Sequence, residues 1–157
     1  DAGAVPRGVI AERAAAAAAA AAAAQRMSLC ASGIEFLDER LGDFEGPAAE
    51  RDVIRAGIDS AVAARANGDV ETCLGALADP FAVLGFAFAP GPPEPVPCVR
   101  GIDGTIAMLD ELNDDVQAQT RAFLVTAVEA LEAGDVDTCV RAVGEAQWIV
   151  RDAQQLE

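Results

Sequence analysis

The chain contains no histidine, no lysine and no tyrosine. Histidine is the side chain best suited to proton transfer near neutral pH, and it is the usual partner of a serine or cysteine nucleophile. Lysine is needed for Schiff-base chemistry and for the phosphate-loop motif. Most common enzyme designs are therefore excluded, and among 26 acidic residues no carboxylate pair stands out. The sequence predicts a protein that is not an enzyme and has no catalytic residues.

Positive charge is also scarce, because eleven arginines oppose 26 aspartates and glutamates and leave a net charge of −15. Nucleic-acid binding relies on basic residues that displace counterions from phosphates, so we expect no nucleic-acid partner. The acidic segment Asp110–Asp115 and the pair Asp38 and Glu39 lack the ligand spacing and central glycine of an EF-hand. Haem is disfavoured without histidine or tyrosine ligands. We therefore expect neither a metal nor a cofactor.

Apolar residues make up 52 % of the 157 residues, which excludes a disordered acidic tail. They recur at helical spacing, whereas the alternation typical of strands is hard to find, so the predicted class is all-α. One predicted helix carries Cys73 and continues past Pro80 to Leu84. A long first helix is predicted to end near Leu41. Four further helices are predicted over about 48–66, 102–113, 114–133 and 136–155.

Eleven consecutive alanines occupy Ala14–Ala24. Alanine is the best helix former, but eleven residues span only about 16 Å, and a membrane span needs about 20 apolar residues. We expect residues 1–26 to form an alanine-rich helical extension ahead of one helical-bundle domain, residues 27–157. The run is interpreted either as a smooth surface that a partner approaches closely, or as a repeat expansion or placeholder alanines without a role.

The domain contains an internal repeat. The segment Gly68–Cys73 recurs 66 residues later as Gly134–Cys139, with only Glu and Asp exchanged. Diverged copies therefore cover 27–89 and 95–157, and the proline-rich residues 90–97 connect them. Because neither copy is expected to bury enough apolar surface alone, we expect the two to pack around a shared core with pseudo-twofold symmetry.

The four cysteines allow three disulfide pairings. Each copy contributes one cysteine before its helical hairpin and one just after its Gly-Asp-Val turn, which favours Cys30–Cys73 and Cys98–Cys139. A zinc site lacks both a Cys-x-x-Cys motif and histidine. Four free thiols in a reducing compartment remain the alternative.

Disulfides predict an oxidising compartment: an organelle lumen such as the thylakoid, the periplasm or the extracellular space. The chain begins at Asp1 without a methionine or a signal peptide, and we interpret this as removal of a presequence.

Two segments are candidate partner surfaces, although core burial is the favoured interpretation of the phenylalanines. We also expect Trp148 to be buried, because it shares one stripe of the last helix with Val140 and Gly144, where the glycine leaves room for the indole. The candidate surface residues are Ala14, Ala17, Ala18, Ala21, Ala24, Phe81, Phe86 and Phe88.

These observations predict a non-catalytic accessory or structural subunit, docked on a larger assembly of protein subunits. Lumenal extrinsic subunits of photosynthetic membrane complexes are one example of this class. We expect no transmembrane segment, so any membrane association would be peripheral and through partners. The alternative is a module that binds a small apolar ligand such as a lipid or pigment.

Overall fold

The computed structural model describes residues 1–156, and it is all α-helical with no strand in that range, which confirms the predicted class. None of the helices in residues 1–156 combines the length and the apolarity that a membrane span needs. Two short 3₁₀ turns lie at Ala2–Ala4 and Leu109–Glu111. The helices are α1 (Arg7–Gly42), α2 (Ala48–Ala66), α3 (Val70–Ala76), α4 (Ala78–Val83), α5 (Pro97–Ala107), α6 (Asp114–Glu132) and α7 (Val136–Gln155).

The chain forms two compact units. Unit one comprises residues 1–21 and the described residues from 94 onward, and unit two comprises residues 22–93. The first half of α1 therefore belongs with α5, α6 and α7, while its second half belongs with α2, α3 and α4. The predicted division into an extension, residues 1–26, and one domain, residues 27–157, stays a prediction. The predicted packing of both repeats around a shared core stays a prediction.

The N-terminal segment is held against α6 within unit one. Ile10 and Ala14 are buried in the same cluster as Leu124 and Val128 of α6. Gly3 lies so close to α6 that an added Cβ would be 2.9 Å from the carbonyl oxygen of Ala118. The segment is therefore part of the core of unit one.

Polar contacts fix the same segment. The Nε of Arg121 donates to the carbonyl oxygen of Gly3 at 3.0 Å, and Arg13 forms two hydrogen bonds to Glu132 at 2.5 and 3.2 Å. The ion pair with Arg13 lowers the pKa of the Glu132 carboxyl below its ordinary value. The repeat pairs each residue of α6 with the residue of α2 that lies 66 positions earlier in the chain. Three apolar residues of α6 have charged counterparts in α2: Ala118, Val125 and Leu131 correspond to Asp52, Asp59 and Arg65.

One disulfide links the first and third α-helices of each repeat. Cys30 bonds to Cys73 across α1 and α3, and Cys98 bonds to Cys139 across α5 and α7, with Cα atoms 6.2 and 6.1 Å apart. These are the pairs that the repeat predicts. All four cysteines are buried. Two disulfides indicate an oxidising compartment.

A glycine one turn after the first cysteine permits this close approach. A Cβ added at Gly33 would lie 2.6 Å from Leu77 Cδ1, and one added at Gly101 would lie 2.7 Å from Val143 Cγ1. The Cys-x-x-Gly motif of both repeats therefore has a packing reason, since a methyl group at Gly33 or Gly101 would require the side chain of Leu77 or Val143 to move.

The two Gly-Asp-Val turns have the same geometry. Gly68 and Gly134 adopt φ values of 71° and 79°, in the left-handed region that favours glycine. The following aspartates cap the next helix: Asp69 accepts from the N–H of Thr72 at 3.2 Å, and Asp135 from the N–H of Thr138 at 3.1 Å. Hydrogen bonding with the side chain of each threonine, and second with its backbone N–H, lowers the pKa of both aspartates.

The predicted helix through Pro80 is wrong as a continuous element, because α3 and α4 are separated at Leu77. Proline lacks an N–H, and its ring clashes with the carbonyl four residues earlier, so it kinks or breaks a helix that begins more than a turn before it. Sixty-six residues later the chain has Ala146 instead, and α7 continues unbroken. The residues predicted as a helix over 102–113 divide between α5 and the 3₁₀ turn, and α5 already begins at Pro97.

Candidate functional site

The alanines predicted as a partner surface are partly covered by the chain itself. Ala14 is 0 % exposed, and Ala17 packs against the core of unit one. Ala18 and Ala21 are half-buried, and Ala24 is exposed. Ala14 is therefore not accessible to a partner, and its inclusion in that surface was wrong, because the N-terminal segment packs on α6.

The three phenylalanines predicted as a second partner surface belong to an aromatic cluster in unit two. Phe81 stacks between Phe36 and Phe88, with ring centroids 5.3 and 4.7 Å apart. Phe81 and Phe88 are half-buried against the unit-two core. Phe86 meets Phe36 edge to face at 5.6 Å and is 45 % exposed. Most of this aromatic surface is engaged within the unit.

Trp148 is exposed, so the prediction of a core tryptophan is wrong. Its side chain and backbone together are 62 % accessible to solvent. An α-helix turns about 100° per residue, so each four-residue step moves about 40° around the axis. Three such steps carry the stripe from Val136 to Trp148 through about 120°, away from the buried row that includes Cys139, Val143 and Val150.

We call the exposed apolar row Val136, Val140, Gly144 and Trp148 the α7 face. Val136 and Val140 are 40 % and 49 % exposed. A Cβ added at Gly144 would meet no atom of residues 1–156 within 4 Å. The row is about 18 Å long, or three helical turns, and it lies on a helix that the Cys98–Cys139 disulfide anchors. It is a continuous apolar row on a rigid element.

Two open hollows flank the indole of Trp148. One has a volume of about 320 Å³ and is also lined by Glu145, Ile149 and Asp152. The other has a volume of about 260 Å³ and is also lined by Gly144, Gln147 and Arg151. The guanidinium carbon of Arg151 lies over the indole, 5.9 Å from the ring centroid. A protruding side chain of a partner could enter either hollow.

A separate groove lies between the alanine-rich part of α1 and the end of α6. It has a volume of about 430 Å³ and is lined mainly by alanines, with Ala17 and Ala21 among them, and by Leu131, Glu132 and Gly134. This volume is within the range of small-molecule sites. Within residues 1–156, no three side chains of Asp, Glu, Cys or His come together in a way that could hold a metal ion.

No protein-family model, no curated protein sequence and no solved structure matches the chain. The sequence places Val140, Gly144 and Trp148 on one stripe, but the prediction assigns that stripe to the core and does not include Val136. The four-residue spacing itself was the available signal, since a row with a strict period of four drifts away from a core with a period of 3.6.

Proposed function

We propose that the protein is a non-catalytic accessory subunit that binds a larger protein assembly through the α7 face. The single observation that carries this proposal is the exposure of the chain's one tryptophan at the end of an apolar row. Tryptophan is common among the few residues that contribute most of the binding free energy of protein interfaces. An indole exposed to water would gain free energy on burial in such an interface.

The composition and the disulfides support the same proposal. A chain without histidine or lysine lacks the usual proton-transfer and covalent-catalysis residues, which favours binding over catalysis. We infer that the compartment is an organelle lumen such as the thylakoid, the periplasm or the extracellular space. Membrane association would then be peripheral and depend on the partner. We also infer a tandem duplication, because the two units share a Cys-x-x-Gly motif, a capped Gly-Asp turn and the position of the disulfide.

Affinity purification from the native source, under mild non-reducing conditions, tests the proposal. Wild type, Trp148→Ala and the matched control Val62→Ala are compared; Val62 is a 48 % exposed apolar residue of unit two. We expect stoichiometric protein subunits to co-purify with wild type and with Val62→Ala and to be lost with Trp148→Ala. Recovery of the protein alone, or retention of every subunit by Trp148→Ala, contradicts the proposal.

The alanine-lined groove supports a second candidate, a module that binds a small apolar ligand. Native mass spectrometry of the purified protein tests it directly. If the second candidate is correct, wild type carries a stoichiometric small molecule, and Ala21→Leu, which fills the groove, loses that molecule. The matched control Ala24→Leu is exposed and outside the groove lining, and it retains the molecule. A protein mass without any added ligand contradicts this candidate.

A further inference from the structure

The larger hollow beside Trp148 combines an aromatic wall with two carboxylates. Glu145 precedes Trp148 by three residues and Asp152 follows it by four, so helical spacing places both on the same side of the indole. The half-buried Ile149 completes the lining. An aromatic face beside carboxylates is the chemistry that recognises a cationic side chain with an apolar stem, and arginine fits it best because its guanidinium both stacks on rings and pairs with carboxylates.

The charges around the hollow are unmatched on that side. The ion pairs in residues 1–156 use Arg7, Arg13 and Arg26, so neither Glu145 nor Asp152 takes part in one there. The guanidinium of Arg151 is near the indole, but it lines the other hollow. The whole chain carries a net charge of −15, which attracts cationic partners. The same charge disfavours a second copy of this chain as the occupant.

The rest of the α7 face has the shape that a helix needs to approach. Gly144 presents no side chain, and Val140 and Trp148 protrude on either side of it along the row. A mid-helix glycine costs about 1 kcal/mol relative to alanine, and in residues 1–156 no atom lies within 4 Å of a Cβ added at Gly144. The notch lets the backbone of a partner helix come close.

Resting on the proposed function, we propose that the α7 face binds a basic amphipathic helix of a partner protein. Apolar side chains of that helix pack on Val140 and in the notch over Gly144. One arginine of the helix enters the hollow between Trp148 and the carboxylates of Glu145 and Asp152. This proposal names the partner by its chemistry: a helix with an apolar stripe and arginines beside it.

The probe is a synthetic amphipathic helical peptide with leucine and alanine on one face and arginine beside that face. Two control peptides replace every arginine with neutral citrulline or with glutamate. Trp148 is the only tryptophan, so its indole N–H gives one resonance in a ¹⁵N–¹H spectrum, and a titration follows the site without labelling the peptide. We expect the arginine peptide to shift this resonance saturably, the citrulline peptide to bind more weakly and the glutamate peptide not to bind.

Two sets of protein variants assign the interaction to the hollow. The double variant Glu145→Gln with Asp152→Asn weakens binding of the arginine peptide about fivefold, the effect of two exposed charge contacts. The matched control Asp38→Asn with Glu39→Gln removes the same net charge from exposed positions in unit two. At high salt, where long-range electrostatic attraction is screened, this control binds the peptide with the affinity of wild type. Gly144→Leu blocks the notch and abolishes binding, and circular dichroism verifies that it is folded.

Several results overturn the inference. They are failure of the arginine peptide to bind, equal binding by the glutamate peptide, and equal weakening in the two double variants at high salt. Concentration-dependent self-association that Trp148→Ala abolishes instead assigns the face to a second copy. If co-purification of the natural subunits requires Trp148 but the arginine peptide does not bind, only the inference fails. If no subunit depends on Trp148, the proposed function fails.

Discussion

Two glycines three residues apart on α5 provide a test of the packing between α5 and α7. Gly101 faces α7, where an added Cβ would lie 2.7 Å from Val143 Cγ1. Gly104 is on the same helix, but an added Cβ there would meet nothing within 4 Å. We predict that Gly104→Ala raises the stability of the protein, whereas Gly101→Ala leaves it near that of wild type or lowers it.

The magnitude follows from two contributions to the free energy of unfolding. Replacing a mid-helix glycine with alanine stabilises a helix by about 1 kcal/mol, and this gain applies to both variants. At Gly101 the new methyl group overpacks the contact with Val143, which costs about 1–3 kcal/mol. The variants therefore differ by about 1–3 kcal/mol, with Gly104→Ala the more stable, because the helix-propensity contribution cancels in the comparison.

Urea unfolding followed by far-ultraviolet circular dichroism measures both variants with the disulfides intact. The midpoint is expected to rise for Gly104→Ala, and for Gly101→Ala it is expected to stay near that of wild type or fall. Equal increases in both variants would refute the claim that Gly101 is a glycine because α5 packs closely against α7.

Three further predictions concern the disulfide, the caps and the tryptophan. Cys98→Ala with Cys139→Ala lowers the free energy of unfolding by about 4 kcal/mol, the loop-entropy value for a separation of 41 residues, in the same urea assay; a loss under about 1 kcal/mol contradicts it. Because folding lowers the pKa of Asp135, the ionised carboxylate stabilises the folded protein above its ordinary pKa of 3.8, and this contribution is lost as pH falls through the lowered pKa. Between about pH 6 and about pH 3, the free energy of unfolding therefore falls more for wild type than for Asp135→Asn. An equal loss contradicts the cap. Trp148→Ala costs well below the about 3–5 kcal/mol of a buried tryptophan, and a thermal melt showing a loss in that range contradicts its exposure.

Much of the fold follows from local sequence signals. Helical spacing predicts the all-α class, and the two Gly-Asp-Val segments predict the turns that the structure contains, where each aspartate also caps the next helix. These features depend on residues close in sequence, such as a glycine with positive φ followed by an N-cap. The disulfide pairs also follow from the repeat, because equivalent cysteines occupy equivalent places.

The candidate site was less predictable, because it depends on which side of a helix the rest of the chain leaves uncovered. The stripe through Val140, Gly144 and Trp148 looks like a core stripe when it is read alone, and its drift of about 40° per step matters only once the buried row is known. Similarly, the burial of Ala14 depends on α6, more than 100 residues away. Neither fact is contained in a local pattern.

The most direct test of the central claim is the solvent exposure of Trp148 before and after assembly. Protein labelled with 5-fluorotryptophan has a single ¹⁹F resonance, because the chain has one tryptophan, and unlabelled partners add no signal. The shift of this resonance between H₂O and D₂O reports contact with water. A clear solvent shift in the isolated protein and its loss in the purified native assembly are predicted; an unchanged solvent shift in the assembly contradicts docking through the α7 face.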